Sequence, residues 1–356
     1  MRDNGVLVTG AFGLVGTEVV RQLVAGERRV VATDLQTPAN RRASAALTRA
    51  GVEVRWADLT STSQVDELVG TICPSAIVHL AAIIPPQCYA NRSLARAVNV
   101  DATASLVSAA SAQRSPPRFV QASSVAVYGA RNPHTLGDVL IASAQPAPSD
   151  VYGGHKAEAE NVVRSSELEW VVLRLGGVMT RDFGLDMDLD SLYFEAALPA
   201  DGRIQTVDVR DVAKAFCAAT TTPAVREVFL VGGDDTHRRR QGELGPAITA
   251  ALGLIGGMPP GRPGNPRSDL DWFATDWMDT ARSQQVLQYQ HHSWPGLLAD
   301  IRARWGWKRY PLGLAAPVVR RTLQRRSPYH RAPGRYADPW NVIRARWGDF
   351  APDRPA

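Results

Sequence analysis

The stretch VLVTGAFGLVG, residues 6–16, decides the fold of the first part of the chain. Four residues rich in Val and Leu predict a buried strand, and a helical run over 14–25 follows directly. Three glycines stand at the junction: Gly10, Gly13 and Gly16. Glycines at this spacing permit a tight turn and leave room for a phosphate at the helix N-terminus. Taken alone, the pattern also fits a plain strand-to-helix turn.

The alternation of strand and helix continues along the chain. Short β-rich runs predict strands at 6–9, 30–34, 52–56, 76–81, 119–122 and 170–175, with a further run at 228–231. Most are followed by helical stretches rich in Ala, Leu, Val and Arg, which indicates βαβ units. We therefore predict an α/β fold: a Rossmann-type doubly wound parallel sheet with a smaller C-terminal substrate-binding lobe.

Two stretches depart from this alternation. Residues 179–202 are irregular and acidic, and residues 235–268 are rich in Gly, Pro and Arg. Both follow predicted strand ends, where open α/β folds place their substrates. The predicted domains are a Rossmann domain over 1–178 with a return at 204–234, a discontinuous substrate-binding lobe over 179–310, and a basic aromatic tail over 311–356.

Charge is distributed unevenly. The 356 residues have a formal net charge of +5, but residues 301–356 hold thirteen Arg/Lys and three Asp, a formal +10. The first 300 residues therefore sum to −5. A mildly acidic body does not indicate a nucleic-acid partner. For the tail, we favour the interpretation that it wraps the body over the alternative that it contacts a membrane surface.

The cysteines and histidines bear on the cellular compartment and on metal binding. Cys73, Cys88 and Cys217 are widely spaced and form no paired framework, and the start of the chain has no signal-peptide features. Both observations are typical of a cytoplasmic protein. The adjacent His291 and His292 would diverge by about 100° on a helix, so we predict no metal site.

The choice of dinucleotide depends on Asp34. It ends the second predicted strand, 18 residues after Gly16. A carboxylate here accepts hydrogen bonds from the ribose hydroxyls and repels a 2′-phosphate. We therefore predict NAD as the cofactor, while the nearby Arg41 and Arg42 keep NADP open as an alternative.

A tyrosine and a lysine lie four residues apart in SDVYGGHKAEAE, residues 149–160. Four residues make about one helical turn, so Tyr152 and Lys156 would share a face and reach the same small molecule. The spacing often arises by chance. Lysine, however, accounts for only three of the forty basic residues here, which makes a chance Lys156 less probable than in most chains.

Further motifs follow the predicted strands in order: ADLT (57–60), VHLAA (78–82), VNVDAT (98–103), ASSVAVYG (122–129) and then YGGHK. With the glycine loop, they make residues 5–235 resemble the extended short-chain dehydrogenases/reductases, the NAD-dependent epimerase/dehydratase family. The resemblance implies a Rossmann fold, NAD, and hydride transfer at a carbon that carries oxygen. Such proteins are often homodimers, and the implied partner is a small-molecule substrate.

The resemblance also implies roles for individual residues. The implied catalytic residues are Ser124, Tyr152 and Lys156. The implied cofactor-binding residues are Gly10, Phe12, Gly13, Leu14, Val15, Gly16, Asp34, Asp58, Leu59, Leu80, Ala81, Ala82, Asn99, Tyr152 and Lys156. Tyr152 would be the acid/base, because the Lys156 ammonium and the nicotinamide charge favour its phenolate form.

Three departures from the family pattern bear on the substrate. Ser124 is followed by Val125 and Ala126, where sugar-nucleotide dehydratases of this family carry Asp-Glu. The sixth strand leads into LRLGGV without the asparagine that binds a nucleotide diphosphate, and Arg203 is one position out of register with the family arginine. We therefore expect a smaller or more apolar substrate.

The predicted function is that of an NAD-dependent oxidoreductase acting at a secondary alcohol or ketone of such a substrate. The alternative is a nucleotide-sugar epimerase with tightly bound NAD. A non-catalytic dinucleotide-binding sensor is disfavoured, because Tyr152 and Lys156 are both present.

Overall fold

The computed structural model describes residues 5–184 and 188–353, so both ends and three residues of the predicted lobe lie outside it. The strands in the described part are β1 (Val6–Thr9), β2 (Val30–Asp34), β3 (Glu53–Trp56), β4 (Ala76–His79), β5 (Arg118–Ser124), β6 (Trp170–Leu175), β7 (Gly177–Met179), β8 (Arg203–Asp208), β9 (Glu227–Val231) and β10 (Arg238–Arg240). Seven of them form one sheet in the order β3-β2-β1-β4-β5-β6-β9, and β10-β8-β7 form a second, smaller sheet.

Helices connect the strands. Those in the described residues are α1 (Leu14–Ala25), α2 (Pro38–Arg49), α3 (Thr62–Ile72), α4 (Gln87–Ala90), α5 (Arg92–Arg96), α6 (Ala102–Ser111), α7 (Val151–Arg164), α8 (Leu189–Ala197), α9 (Val209–Ala219), α10 (Gln241–Leu252), α11 (Ala281–Leu287), α12 (Trp294–Trp305), α13 (Arg309–Leu312), α14 (Ala316–Arg326) and α15 (Pro339–Trp347). A π-helical turn (Ala97–Asp101) precedes α6, and a 3-10 turn (Val125–Tyr128) follows β5.

All neighbours in the seven-stranded sheet are parallel, which confirms the predicted fold class. The central strands β1 and β4 are buried along their whole length, because helices cover both faces of the sheet. One core packs the sheet against α1 and α9, and the other packs it against α3 and α6. The strand order reverses between β1 and β4, where open α/β sheets bind their ligands.

The segments that looked irregular in sequence contain helices α8 and α10. α10 begins after Arg240, whose backbone N–H donates to the Glu243 carboxylate, and ends at Gly253 with φ of 102°. Leu244 and Ile248 of α10 pack in one apolar cluster with residues of α12. Pro246 and two glycines weaken the helical pattern of α10, so its sequence did not reveal it.

The end of the described chain returns to the middle of the fold. Residues 338–353, called the C-terminal strap below, comprise α15 and the extended residues that follow it. The Phe350 carbonyl accepts a hydrogen bond from the N–H of Val151 at 2.7 Å, in the first turn of α7. Trp340 Nε1 donates to the Leu270 carbonyl at 2.7 Å. The strap therefore contacts both α7 and the segment between α10 and α11.

Candidate active site

The glycine loop between β1 and α1 permits contacts that a side chain would prevent. Gly10 has φ of 63°, and a Cβ there would lie 2.7 Å from the backbone nitrogen of Ala81. A Cβ at Gly16 would lie 2.1 Å from the Gly10 carbonyl oxygen. Gly10 thus brings the end of β1 close to the end of β4, and Gly16 lets α1 pack onto the loop.

The N-terminus of α1 fits a phosphate group. Gly13 is the N-cap, and no side chain caps the helix, so the first-turn amides of Leu14 and Val15 have no side-chain cap. A Cβ at Gly13 would meet only the Gly10 carbonyl oxygen, at 3.4 Å, so the loop leaves room beside the helix end. These features suit the pyrophosphate of a dinucleotide.

Asp34 lies at the carboxyl end of β2, next to this loop. Its carboxylate accepts the N–H of Phe12 at 3.2 Å and the N–H of Leu35 at 2.8 Å. A carboxylate has about four acceptor positions, so capacity remains for ribose hydroxyls. The Phe12 ring lies 5.3 Å from the Trp56 ring, between centroids.

Two of the implied cofactor-binding residues, Asp58 and Leu59, follow β3. The Asp58 carboxylate accepts from the backbone and the hydroxyl of Thr60, at 2.9 and 2.7 Å, which shapes the turn. Leu59 is buried under the sheet. Its packing explains why an apolar residue stands here.

Side-chain hydrogen bonds hold the loop after β4, residues 80–83, which contains Leu80, Ala81 and Ala82. Thr9 Oγ1 accepts the N–H of Leu80 at 3.2 Å, and the buried Asn99 side chain bonds both the N–H and the carbonyl of Ile83. Asn99 sits in the π-helical turn, which directs it at this loop. Its implied role in cofactor binding stays a prediction.

His79 and Thr9 form a polar network below this loop that sequence analysis missed. His79 Nδ1 lies 2.7 Å from Thr9 Oγ1, and its Nε2 lies 3.1 Å from Thr103 Oγ1. Burial, with a smaller effect of the Lys156 charge, lowers the pKa of His79 to about 3. A neutral imidazole therefore links β1 and β4 to α6. The conspicuous signal in the sequence was a histidine inside an otherwise apolar strand.

Ser124, Tyr152 and Lys156 come together at the carboxyl end of β5. Ser124 ends that strand, and its hydroxyl accepts the N–H of Ala126 at 3.2 Å. Tyr152 and Lys156 lie on one face of α7, with Lys156 Nζ 5.9 Å from the centre of the Tyr152 ring. Lys156 is buried, and its ammonium donates to the Ala122 carbonyl at 2.9 Å.

The electrostatics of this trio have opposing causes. Burial raises the pKa of Tyr152 well above its usual range, with the charges of Cys88 and Asp150 adding to the rise and the Ser124 hydroxyl opposing it. Burial lowers the pKa of Lys156 to about 8, against the effect of the Glu160 charge. Lys156 thus remains mostly charged at neutral pH, whereas Tyr152 keeps its proton without a further positive charge nearby.

Asp150 is a second residue that sequence analysis missed. It is the N-cap of α7, and its buried carboxylate accepts the N–H of Gly153 at 2.9 Å and the hydroxyl of Tyr89. Burial raises its pKa to about 6, although both hydrogen bonds oppose that rise. An aspartate at the N-cap position was the available signal.

An aromatic cluster adjoins Tyr152. Tyr152, Phe273 and Phe350 are partly buried and each pack against one cluster of buried residues that includes Phe194 of α8 and Trp340 of the C-terminal strap. Ring centroids are 5.5 Å apart for Phe194 and Phe273, and 4.7 Å apart for the stacked Trp340 and Phe350. These residues are far apart in sequence and lie in segments without a clear period, so no sequence pattern predicted the cluster.

Arg203 is bound within the protein. Its guanidinium donates to the carbonyls of Leu136 and Pro133, at 3.0 and 3.3 Å, and lies 4.8 Å from the centre of the Trp277 ring. The Asp276 carboxylate also lies 3.8 Å from Arg203 Nη1, so protein groups hold this guanidinium in place, although its Nε has no hydrogen-bond partner among the described residues.

The chain is similar to known proteins in its sequence and in its fold. A model of the NAD dependent epimerase/dehydratase family matches residues 6–182. The dTDP-glucose 4,6-dehydratase of Neisseria gonorrhoeae is 30% identical over 353 aligned residues, which cover 90% of this chain and 95% of that protein. This chain belongs to the NAD dependent epimerase/dehydratase family. Membership confirms the predicted family, its NAD cofactor and an enzyme of this NAD-dependent type.

A further relative and a solved structure are also similar to this chain. The D-erythronate dehydrogenase of Cupriavidus necator is 30% identical over 187 residues, 49% of this chain, and the match spans only 56% of that protein. The UDP-glucose 4-epimerase of Thermus thermophilus, solved with NAD, has a TM-score of 0.66 at 22% identity, covering 83% of this chain and 96% of that one. At this identity the structural likeness shows the fold. No helix within residues 5–184 and 188–353 has the length and apolarity to cross a bilayer.

Proposed function

We propose that the protein transfers hydride between NAD and a secondary alcohol or ketone of a small or apolar substrate, with Tyr152 as acid/base. One observation carries the proposal: Tyr152 lies beside Lys156 and Ser124 and also packs against the buried cluster to which the aromatic residues belong. The reacting oxygen would meet the phenol in surroundings that are mostly apolar.

Each residue has a defined task in this chemistry. Ser124 donates a hydrogen bond to the substrate oxygen, and Tyr152 takes its proton when an alcohol is oxidised. The Lys156 ammonium, with Nζ 5.9 Å from the centre of the Tyr152 ring, would favour the phenolate and so oppose the effect of burial on Tyr152. Bound NAD supplies the hydride acceptor, and the fixed positive charge of its nicotinamide acts in the same direction as Lys156.

The substrate class follows from what surrounds Tyr152. The buried cluster against which Tyr152 packs is largely apolar and includes Phe194 and Trp340, and Arg203 is already bound by carbonyls. A nucleotide diphosphate would need cationic or amide donors at this place. Because protein carbonyls already hold the Arg203 guanidinium, we favour a substrate without that group.

Dehydration receives no support from the side chains next to Ser124. Val125 and Ala126 begin the 3-10 turn after β5, are buried, and carry no acid or base. The dehydratase name of one relative therefore does not extend to this chain in our proposal. The epimerase alternative is retained, because a solved neighbour is a UDP-glucose 4-epimerase.

The decisive experiment follows the fate of NAD. The protein is incubated with excess NAD and a panel of secondary alcohols, steroids and UDP-sugars, while NADH absorbance and product stereochemistry are measured. We expect NADH to form in proportion to an alcohol substrate. Inversion of a UDP-sugar without net NADH, by protein that purifies with NAD bound, would establish the epimerase instead.

The role of Tyr152 is tested by Tyr152→Phe, which removes the hydroxyl and keeps the ring. Turnover should fall about a hundredfold or more, while NAD affinity stays nearly unchanged, because only the acid/base is lost. Tyr310→Phe is the matched control, since Tyr310 is exposed and remote in the fold. Full activity of Tyr152→Phe on a confirmed substrate would exclude the assigned chemistry.

A further inference from the structure

Residues 306–326, called the basic helical segment below, run through α13, α14 and the 3-10 turns before each of them. One side of this segment faces the body. Leu312, Ala316, Val319 and Leu323 on this side are buried or half-buried. Arg320 donates to the Gly256 carbonyl at 3.3 Å, which holds the segment against the loop after α10.

The opposite side carries a second apolar stripe, which faces solvent. Its members are Trp307, Tyr310, Leu314 and Val318, with exposed fractions of 74, 76, 87 and 68%. Their spacings of three, four and four residues put them on one face of a helix. Single exposed apolar residues are ordinary, but a row of four large ones on one face marks an interaction surface.

The charges around this outer stripe all have one sign. Residues 301–326 contain eight Arg/Lys and no Asp or Glu. Arg304 pairs with Asp182, but among the residues that the structure describes, Lys308, Arg321, Arg325 and Arg326 form no ion pair. Arg321 and Arg325 follow the stripe at the next helical positions, so cationic groups extend the apolar face.

We propose, against the interpretation favoured from the sequence, that the outer stripe docks on an anionic lipid surface. Trp and Tyr are favoured at the boundary between headgroups and acyl chains, Leu and Val enter the apolar side, and arginines bind lipid phosphates. A second copy of the chain would bring the same cationic face against itself, which is unfavourable. A nucleic acid would use the arginines but leave Leu314 and Val318 in water.

The charge of the rest of the molecule determines which part of the protein faces the membrane. The first 300 residues sum to −5, and the last 56 to +10. An anionic membrane therefore attracts the basic helical segment and repels the body, so the segment is the part that meets the surface. This inference rests on the exposed stripe and its charges and is independent of the reaction proposed above.

The test is flotation of the purified full-length protein with vesicles of phosphatidylcholine, with and without phosphatidylglycerol. We expect binding only with phosphatidylglycerol, weakening as salt is raised. Arg321→Gln combined with Arg325→Gln should lower the partition coefficient about tenfold or more, at roughly 1 kcal/mol per cation near the surface. Arg114→Gln, a change at an exposed arginine outside the segment, should leave it unchanged.

The apolar contribution is tested by Leu314→Ser combined with Val318→Ser, with Leu270→Ser as the matched control at another exposed leucine. The double variant should lose most vesicle binding while its melting temperature and NAD affinity are retained. Equal binding to both vesicle types, or to neither, would overturn the proposal. So would a dimer in light scattering that the double variant converts to a monomer, because a second copy would then cover the stripe.

Discussion

At the residue scale, we expect Asp34 to be the group that separates the two dinucleotides. Its carboxylate is already held by the amides of Phe12 and Leu35, so it is fixed where ribose hydroxyls would meet it. A 2′-phosphate would face this charge at short range. Arg41 and Arg42 are exposed residues of α2, and the hydrogen bonds of Asp34 go to the backbone amides of Phe12 and Leu35 and not to these arginines.

We expect the protein to bind NAD more tightly than NADP, and Asp34→Asn to reduce that preference about tenfold or more, since the repulsion is removed. Titration of both dinucleotides by calorimetry measures the ratio of dissociation constants. The double variant Arg41→Gln, Arg42→Gln should keep the preference. If the parent protein binds NADP and this double variant does not, Arg41 and Arg42 determine NADP binding.

Also at this scale, His79 makes the fold sensitive to acid. Its pKa is about 3 in the folded protein, against about 6.5 in an unfolded chain, so between these values only the unfolded chain binds the proton. The free energy of unfolding should therefore fall as pH drops below 6.5, by up to about 1.4 kcal/mol per unit. Asp150, with its pKa raised to about 6, acts in the opposite direction.

The contribution of His79 is isolated by comparing variants. Urea denaturation between pH 3.5 and 7 should show a shallower pH slope for His79→Asn than for the parent, because Asp150 is common to both. His330→Asn alters an exposed histidine and should keep the parental slope. An unchanged slope in His79→Asn would show that other groups govern acid stability.

At the element scale, the glycine pair in the first turn of α7 has two separate causes. A Cβ at Gly153 would lie 2.3 Å from the Ala126 carbonyl oxygen, so that glycine lets α7 approach the 3-10 turn after Ser124. A Cβ at Gly154 would lie 3.3 Å from Pro352 of the C-terminal strap. Only the first of these contacts is with rigid backbone in the core of the site.

Gly153→Ala should lower the free energy of unfolding by about 1–3 kcal/mol, despite the better helix propensity of alanine. Gly154→Ala should change it by less than about 1 kcal/mol, because helix propensity offsets a mild contact. Thermal and urea denaturation give both values. Equal changes in the free energy of unfolding would show that the close approach of α7 to the 3-10 turn does not cause the loss of stability in Gly153→Ala.

At the scale of the whole molecule, the C-terminal strap is tied to α7. Asp353 accepts from the buried His155 at 2.9 Å and from Arg92. Partial burial would raise the pKa of Asp353, but the hydrogen bonds of Arg92 and His155 outweigh it and hold the pKa below its usual range. This tie is therefore present at neutral pH and is lost as pH falls through that lowered value.

Asp353→Asn should loosen the C-terminal strap and raise hydrogen exchange in residues 338–353 and at the Val151 amide a few-fold, as expected for a partly exposed ion pair. Asp349→Asn removes a neighbouring, more exposed carboxylate and should have little effect. Exchange measured by mass spectrometry at neutral pH distinguishes the two. Protection that is identical in the variants would assign the docking of the strap to its aromatic rings alone.

The sequence by itself determined the parallel sheet, the glycine loop and the pair Tyr152 and Lys156, because strand and helix periods and turn glycines are local properties. Only the tertiary structure decided the surroundings of that pair. Phe194, Phe273, Trp340 and Phe350 meet through contacts distant in sequence, and His155 is explained only by Asp353, nearly 200 residues later. Burial also decided the pKa values of His79, Asp150 and Lys156, since desolvation depends on the whole fold.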